Sequence, residues 1–152
     1  MKKSYLIYFI IVTTIFVSCS KEPVPIRFNE DQCAYCQMII SDQRYGTELI
    51  TTKGKIYKYD SIECLAAYII EEKKGSNDLQ SIWTIDFKYP EKFIDATKAW
   101  YLHSDLLKSP MGLNLSSFTE KNAAENVNNV FHGELIRWDE VKSIVKINWI
   151  DK

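Results

Sequence analysis

The chain has 152 residues, 46% of them hydrophobic and 26% charged, with a formal net charge of −1. This balance excludes a disordered tail or a low-complexity protein, and it leaves no basic surface of the kind that nucleic-acid binding requires. The five glycines are scattered and form no phosphate-binding loop. We therefore expect one ordered domain with no nucleic-acid partner.

The first twenty residues have the pattern of an export signal. Two lysines precede an almost wholly apolar run over residues 5–17. The run is short for a membrane-spanning helix but typical of a signal peptide. A small residue followed by Cys19 ends it, as in a bacterial lipobox. We predict a signal peptide over residues 1–18 and a lipidated Cys19 that begins a tether over residues 19–30; the alternative is an uncleaved N-terminal anchor.

The chain then alternates between strand and turn patterns. Residues 38–40 are a short apolar run that predicts a strand. Residues 46–52 and 55–59 are β-rich and are separated by Lys53-Gly54, which predicts a β-hairpin.

A helix is predicted directly after this hairpin. Asp60 lies three residues before Glu63, as in a capping box, and Gly75 stands where a helix would end. The apolar residues between them have helical spacing: Ile62, Leu65, Ala66 and Ile69.

The second half of the chain repeats the order of strands and helix. Strands are predicted at residues 82–87, 99–102, 113–118 and 134–138, one helix from Thr119 as its cap to Gly133, and a final helix around Val141, Ile144 and Val145. Strand–strand–helix patterns occur twice, over residues 55–69 and 113–127, but few residues are identical between these two segments. We predict an α+β fold in which two small strand–strand–helix halves form one compact domain over residues 31–152.

The cysteines leave three interpretations open. Cys33-x-x-Cys36 in an exported protein is typical of a thiol–disulfide redox pair, or of an inert disulfide. A structural zinc site would need Cys64 and either His103 or His132 in addition, with no matching spacing. On its own, Cys64 falls off the apolar stripe of its helix and is expected to be a half-buried structural thiol.

The third interpretation is a site for Cu(I). Thiolate and thioether ligands together select this soft ion. Met38 follows Cys36 by two residues, and Met111 lies between Pro110 and Gly112 in a predicted exposed loop. Methionine is normally a core residue, so a methionine in such a loop favours a ligand role.

An ordered series of motifs covers nearly all of the mature chain: Cys33-x-x-Cys36-x-Met38-x-Ile40, Tyr59-Asp60-Ser61-x-x-Cys64-Leu65-x-x-Tyr68, Ile94-Asp95-Ala96, Ala99-Trp100-Tyr101, Pro110-Met111-Gly112, Phe118 and His132-Gly133. Taken together, these motifs resemble the NosL family of nitrous oxide reductase accessory lipoproteins.

This resemblance implies a metal site in which the Cys36 thiolate and Met111, from the second half, hold the ion, and Cys33 or Met38 completes or supports it. Cys36 and Met38 match the CxM core of the family and Met111 matches its ProMetGly methionine, while Cys33 matches a cysteine that many members share. The resemblance also makes His132 the better of the two histidines as a metal neighbour. Many members carry Gly between the second Cys and Met, where this chain has Gln37.

The same resemblance implies a function. It describes a lipid-anchored Cu(I) metallochaperone of the bacterial envelope, facing the periplasm, rather than an enzyme. Its partners would be the copper ion, an acceptor copper enzyme or its assembly factors, and the membrane, and its cargo would serve the copper centres of nitrous oxide reductase. The alternative is a membrane-tethered thiol–disulfide reductant that uses Cys33 and Cys36.

Overall fold

The computed structural model of the protein describes residues 22–72, 74–75 and 77–152; the predicted signal peptide and Cys19 lie outside them. Within these ranges, no helix has the length and apolarity to cross a membrane. The described elements are β1 (Thr47–Thr51), β2 (Ile56–Tyr59), α1 (Ile62–Glu71), β3 (Leu79–Asp86), β4 (Tyr89–Asp95), β5 (Trp100–His103), β6 (Leu115–Phe118), α2 (Lys121–Phe131), β7 (Glu134–Ile136) and α3 (Trp138–Val145), which continues as a π-helical turn, Lys146–Ile150.

The strands form two antiparallel sheets with the orders β2-β1-β3-β4 and β6-β5-β7. In each, a hairpin and a helix are followed by a third strand, which pairs antiparallel with the free side of the first strand. The two halves therefore share one topology, which confirms the predicted α+β fold of two related halves. β4 and α3 are additions to this repeat.

The hairpin of β1 and β2 forms as predicted. Its strands pair with Leu49 opposite Tyr57, and Gly54 in the turn has a φ of 78°. That left-handed backbone favours glycine, because glycine has no Cβ to clash with the neighbouring carbonyl.

Helix α1 differs from its prediction at both ends. Its cap is Ser61, whose hydroxyl accepts a hydrogen bond from the Cys64 amide at 3.3 Å, so the predicted cap at Asp60 is wrong by one residue. The helix ends at Glu71, several residues before Gly75. Its N-terminal turn is buried all round, because the first sheet, β6 and α3 all contact the helix.

Three other predictions need correction. Residues 38–40 form no strand, and Ile39 makes an isolated bridge with Gln32 instead. Strand β4 was not predicted, because Pro90 and several charged residues mask its pattern; Pro is tolerated there since β4 is an edge strand. Thr119 does not cap α2, because its hydroxyl donates to Asp86 at 2.5 Å.

The two sheets meet where β3 and the residue after it face β6. The Phe87 amide donates to the Ser117 carbonyl at 2.8 Å, and the Thr84 and Ser117 hydroxyls are 2.8 Å apart. A single large core continues across this junction, from Leu49 in β1 to Leu115 in β6 and Val141 in α3. Ile26, in the segment predicted as a tether, is also buried in this core.

Glu48 is an unusual residue for the middle of β1. It is fully buried; Oε1 accepts a hydrogen bond from the Val24 amide at 2.9 Å, and Oε2 has no partner. Burial raises the pKa of Glu48 to about 7. The folded protein therefore keeps a proton that the unfolded chain releases at a lower pH, and this group makes the free energy of unfolding fall as pH rises toward neutrality.

We predict that Glu48→Gln flattens this pH dependence. The variant should be more stable than the wild type by about 2 kcal/mol at about pH 8 and nearly equal to it at about pH 4.5, because the amide needs no proton to remain neutral. Urea unfolding at the two pH values measures this. Glu91→Gln on the exposed part of β4 is the control and should keep the wild-type slope. An unchanged slope in Glu48→Gln would contradict the assignment.

Candidate metal centre

Three cysteine sulfurs meet at the start of α1. The Sγ atoms of Cys33, Cys36 and Cys64 all lie within 4.8 Å of one another. In the part of the chain that the structure describes, this is the one cluster of three or more such His, Cys, Asp or Glu ligand atoms. Cys33 and Cys64 are fully buried, whereas Cys36 is partly exposed. The cluster therefore has one sulfur that solvent can reach.

Main-chain hydrogen bonds fold residues 31–40, called the cysteine loop below, back on themselves. The Cys33 amide donates to the Met38 carbonyl at 2.8 Å, and the Ile40 amide donates to the Asp31 carbonyl at 2.9 Å. Inside this loop the Gln37 amide donates to the Cys33 carbonyl at 3.1 Å. These bonds hold Cys33 and Cys36 in one tight turn.

Strand β2 anchors the loop. The Ala34 amide donates to the Lys58 carbonyl at 2.8 Å, and Lys58 Nζ donates to Asp31 Oδ2 at 2.6 Å and to the Pro25 carbonyl at 2.8 Å. Partial burial opposes ionisation of Asp31, but hydrogen bonds from Lys58 and from Arg27 outweigh it and lower the pKa of Asp31 to about 2. The N-terminal part of the loop is thus tied to the first sheet.

Hydrogen bonds converge on the sulfur of Cys33. The Cys64 thiol donates to it, and so do the backbone amides of Asp60, Cys36 and Tyr35, which together lower the pKa of Cys33 to about 5 in spite of its burial. Burial raises the pKa of Cys36, and the hydrogen bond to Cys33 together with burial raises that of Cys64. Of the three thiols, Cys33 is therefore the one whose ionisation this environment favours.

Buried carboxyl groups lie beside the cluster in the chain. Burial, and then the charge on Cys33, raise the pKa of Asp60 to about 6, and its Oδ1 has no hydrogen-bond partner. Glu63 is also fully buried, and its Oε2 lacks a partner. Burial thus favours the neutral form of both carboxyl groups, because a buried charge without a partner is costly.

The two predicted methionine ligands differ in exposure. Met38 is 51% exposed and closes the cysteine loop through its carbonyl. Met111 is partly buried in the loop between β5 and β6, and it packs against the core that contains Cys33 and Cys64. Gly112, with a φ of 84°, allows the tight turn after it. The second half of the protein therefore contributes a thioether to the core that holds the thiols.

The His132-Gly133 pair has a packing role at the end of α2. His132 is exposed, has a φ of 45° and is not part of the sulfur cluster. Gly133 is required because a Cβ there would lie 2.2 Å from the His103 carbonyl oxygen. Ser104 donates to the His132 carbonyl at 2.7 Å, which ties this helix end to the chain just after β5.

Comparison with known proteins decides the family. A family model named NosL matches residues 23–145. The chain belongs to the NosL family. The copper-binding lipoprotein NosL of Stutzerimonas stutzeri is 28% identical over 135 residues, which cover 82% of this chain and 68% of that protein. The crystal structure of the copper chaperone NosL from Shewanella denitrificans matches with a TM-score of 0.68 and 23% identity, over 80% of this chain and 96% of that one, and it shows the same fold.

Gln37 lies between Cys36 and Met38, where the family resemblance implies glycine in many members. Its φ is 65°, in the left-handed region that favours glycine. The Gln37 side chain donates to the Ala34 carbonyl at 3.3 Å, and the Gln32 side chain donates to the Gln37 carbonyl at 2.6 Å. These two bonds support the strained residue, so the loop keeps its geometry without glycine.

The sequence interpretation missed Cys64 as a member of this sulfur cluster. Cys64 was expected to be a structural thiol because it falls off the apolar stripe of α1. That rule assumes a helix with one exposed face, but the residues from Ile62 to Ala67 are all fully buried. The usable signal was the motif Ser61-x-x-Cys64, because a serine cap places Cys64 in the first helical turn.

The thiolate on Cys33 gives the first prediction for the site. The ultraviolet thiolate absorbance of the reduced, metal-free protein should rise by one equivalent with a midpoint near pH 5. Cys33→Ser should remove this step, and Cys64→Ala should move it to higher pH because the side-chain donor to Cys33 is lost. A first step only above about pH 8, as for free cysteine, would contradict the assignment.

A second prediction concerns the strain at Gln37. Gln37→Gly should change the free energy of unfolding by less than about 1 kcal/mol, because relief of strain offsets a more flexible unfolded chain. Gln37→Val should cost about 1 to 3 kcal/mol, because a β-branched residue fits the left-handed region poorly. Urea unfolding measures both. Gln43→Val, at an exposed position outside the left-handed region, is the control, and an equal loss there would contradict the strain argument.

Proposed function

We propose that this protein is a metallochaperone that binds Cu(I) and passes it to an acceptor, and that it has no catalytic turnover. The observation that carries this proposal is the cluster of three cysteine sulfurs within 4.8 Å, of which only Cys36 is partly exposed. Cu(I) accepts two or three soft ligands, and thiolates are the strongest of these in proteins. The names of the two NosL relatives, a copper-binding lipoprotein and a copper chaperone, agree with this chemistry.

Each sulfur has a distinct role in the proposed site. Cys33 supplies the thiolate that is already present, and the Cys36 and Cys64 thiols release their protons when the ion binds. Met111 adds a thioether from the second half, and Met38 supports the site from its exposed edge. His132 is a neighbour that the family resemblance implies.

Transfer follows from the unequal exposure of the sulfurs. An acceptor thiol or thioether can approach Cys36, whereas Cys33 and Cys64 are enclosed by the core. Copper then leaves by stepwise ligand exchange, with Cys36 and Met111 as the pair that changes partners. A site of this kind holds the ion without releasing it to water.

The place of action and the acceptor are also part of the proposal. A lipid on Cys19 would anchor the domain to the membrane with residues 19–30 as its tether, facing the periplasm. The acceptor would be nitrous oxide reductase or its assembly factors, as the NosL resemblance implies. Support comes from family membership and from the predicted export signal.

The burial pattern argues against the alternative function, a thiol–disulfide reductant that uses Cys33 and Cys36. A reductant needs a reactive thiolate that substrate can reach. Here the cysteine with the lowered pKa, Cys33, is fully buried, while the accessible Cys36 has a raised pKa. This arrangement suits a metal ligand set better than an attacking nucleophile.

The test is an anaerobic Cu(I) titration of the reduced full chain in mild detergent, in competition with a chromophoric chelator. We expect tight one-to-one binding. Cys36→Ser or Cys64→Ser should weaken it by at least about a hundredfold and Met111→Leu by about tenfold, where each factor of ten corresponds to about 1.4 kcal/mol. Comparison of His132→Gln with its matched control, His103→Gln, tests whether the His132 side chain contributes to the Cu(I) affinity.

Two outcomes would contradict the proposal. One is the absence of competition for Cu(I) by the wild type. The other is a Cu(I) affinity that Cys36→Ser leaves unchanged, together with rapid reduction of a model disulfide by the wild type. That result would favour the thiol–disulfide reductant. Circular dichroism of every variant checks that the fold is retained.

A further inference from the structure

A buried carboxyl group links the two halves next to the thiol cluster. Glu63 lies in the first turn of α1, directly before Cys64, and its side chain is fully buried. Its Oε1 is hydrogen-bonded to the Ser109 hydroxyl, and its Oε2 has no partner. Ser109 belongs to the loop between β5 and β6, in the second half of the protein.

Ser109 is the base of the loop that carries Met111. The Asn114 amide donates to the Ser109 hydroxyl oxygen at 2.8 Å, and the Gly112 amide donates to the Ser109 carbonyl at 3.2 Å. The Ser109 hydroxyl accepts one bond inside the loop, so its proton is free to be donated to Glu63. Residues 109–114 are thus a small closed loop, with Met111 near its tip and its base bonded to α1.

Stability alone does not account for a carboxyl group at this position. An apolar side chain would fill the same space without a desolvation cost and without an unpartnered oxygen. Burial, opposed by the bond from Ser109, raises the pKa of Glu63. What the carboxyl group adds is a directional bond between α1 and the Met111 loop.

We propose that Glu63 is a positioning residue, which fixes the Met111 loop to the helix that carries Cys64 through its hydrogen bond with Ser109. The thioether of the second half is thereby held against the core that contains Cys33 and Cys64. The copper role of this contact rests on the proposed function, whereas the contact itself does not.

The experiment compares Glu63→Leu, Glu63→Gln and Ser109→Ala in the full chain. Glu63→Leu and Ser109→Ala remove the bond, and Glu63→Gln keeps an acceptor for it. The ε-methyl resonance of Met111 in the metal-free protein should shift and sharpen in the first two variants and remain in place in Glu63→Gln. The Met38 resonance is the internal control and should not move.

Cu(I) titration gives the second readout. Glu63→Leu should weaken binding about three- to tenfold, as expected for the loss of one hydrogen bond. In a Met111→Leu background the same change should weaken binding by less than about twofold, because there is no thioether left to position. Ser109→Ala repeats the comparison in case Glu63→Leu does not fold.

Three results would contradict the positioning role or the proposed function, and each can be told apart from the others. An unmoved Met111 resonance in both Glu63→Leu and Ser109→Ala overturns the positioning role, whatever copper does. An equal loss of affinity with and without Met111 also overturns it, because Glu63 would then act through the fold or through Cys64. A wild type that binds no Cu(I) overturns the proposed function by itself, and the Met111 resonance then decides the positioning role alone.

Discussion

The convergence of hydrogen-bond donors on the sulfur of Cys33 is the constraint on which the rest of the site depends. Three backbone amides and the Cys64 thiol point at one buried atom. This requires the cysteine loop to fold back onto the start of α1, and it requires α1 to begin where Ser61 caps it. Such hydrogen bonds favour the thiolate form of Cys33, because the amide dipoles stabilise its negative charge.

The cysteine loop folds back onto α1 through backbone conformations that its own sequence does not favour. Gln37 adopts a left-handed conformation, and an apolar run at residues 38–40 gives up sheet pairing for a single bridge. The side-chain bonds of Gln37 and Gln32 support the left-handed residue, and Lys58 ties the N-terminal part of the loop to β2. Strain of this kind is normally found where a structure serves a site rather than its own stability.

The repeated topology explains how one small domain can present ligands from two directions. Each half consists of a hairpin, a helix and a third strand beside the first, and the two sheets meet where β3 faces β6. The first half holds the thiols at the start of its helix, and the second half offers a methionine from the loop of its hairpin. The contact between Glu63 and Ser109 joins these two contributions directly.

Three buried carboxyl groups lower the stability of this molecule. Glu48, Asp60 and Glu63 all have raised pKa values, and each has one oxygen without a partner. Such groups lower stability at neutral pH unless they remain protonated or face a cation. Two of them flank the start of α1, where the proposed ion would sit, so the cost falls mainly beside the site.

The sequence by itself determined the features that depend on near neighbours in the chain. The hairpin at Lys53-Gly54, the body of α1, the thiol and thioether chemistry and the family all follow from local patterns and short motifs. Such patterns report turn geometry, helical spacing and ligand type, which need no knowledge of the rest of the fold.

Only the tertiary structure decided which of these residues meet. Cys64 joins Cys33 and Cys36 because the cysteine loop, β2 and α1 pack together, and that burial hides the stripe by which a surface helix is recognised. The bond from Ser109 to Glu63 was hidden because it joins residues that are 46 positions apart in the chain. Periodicity within one segment carries no information about such a distant partner.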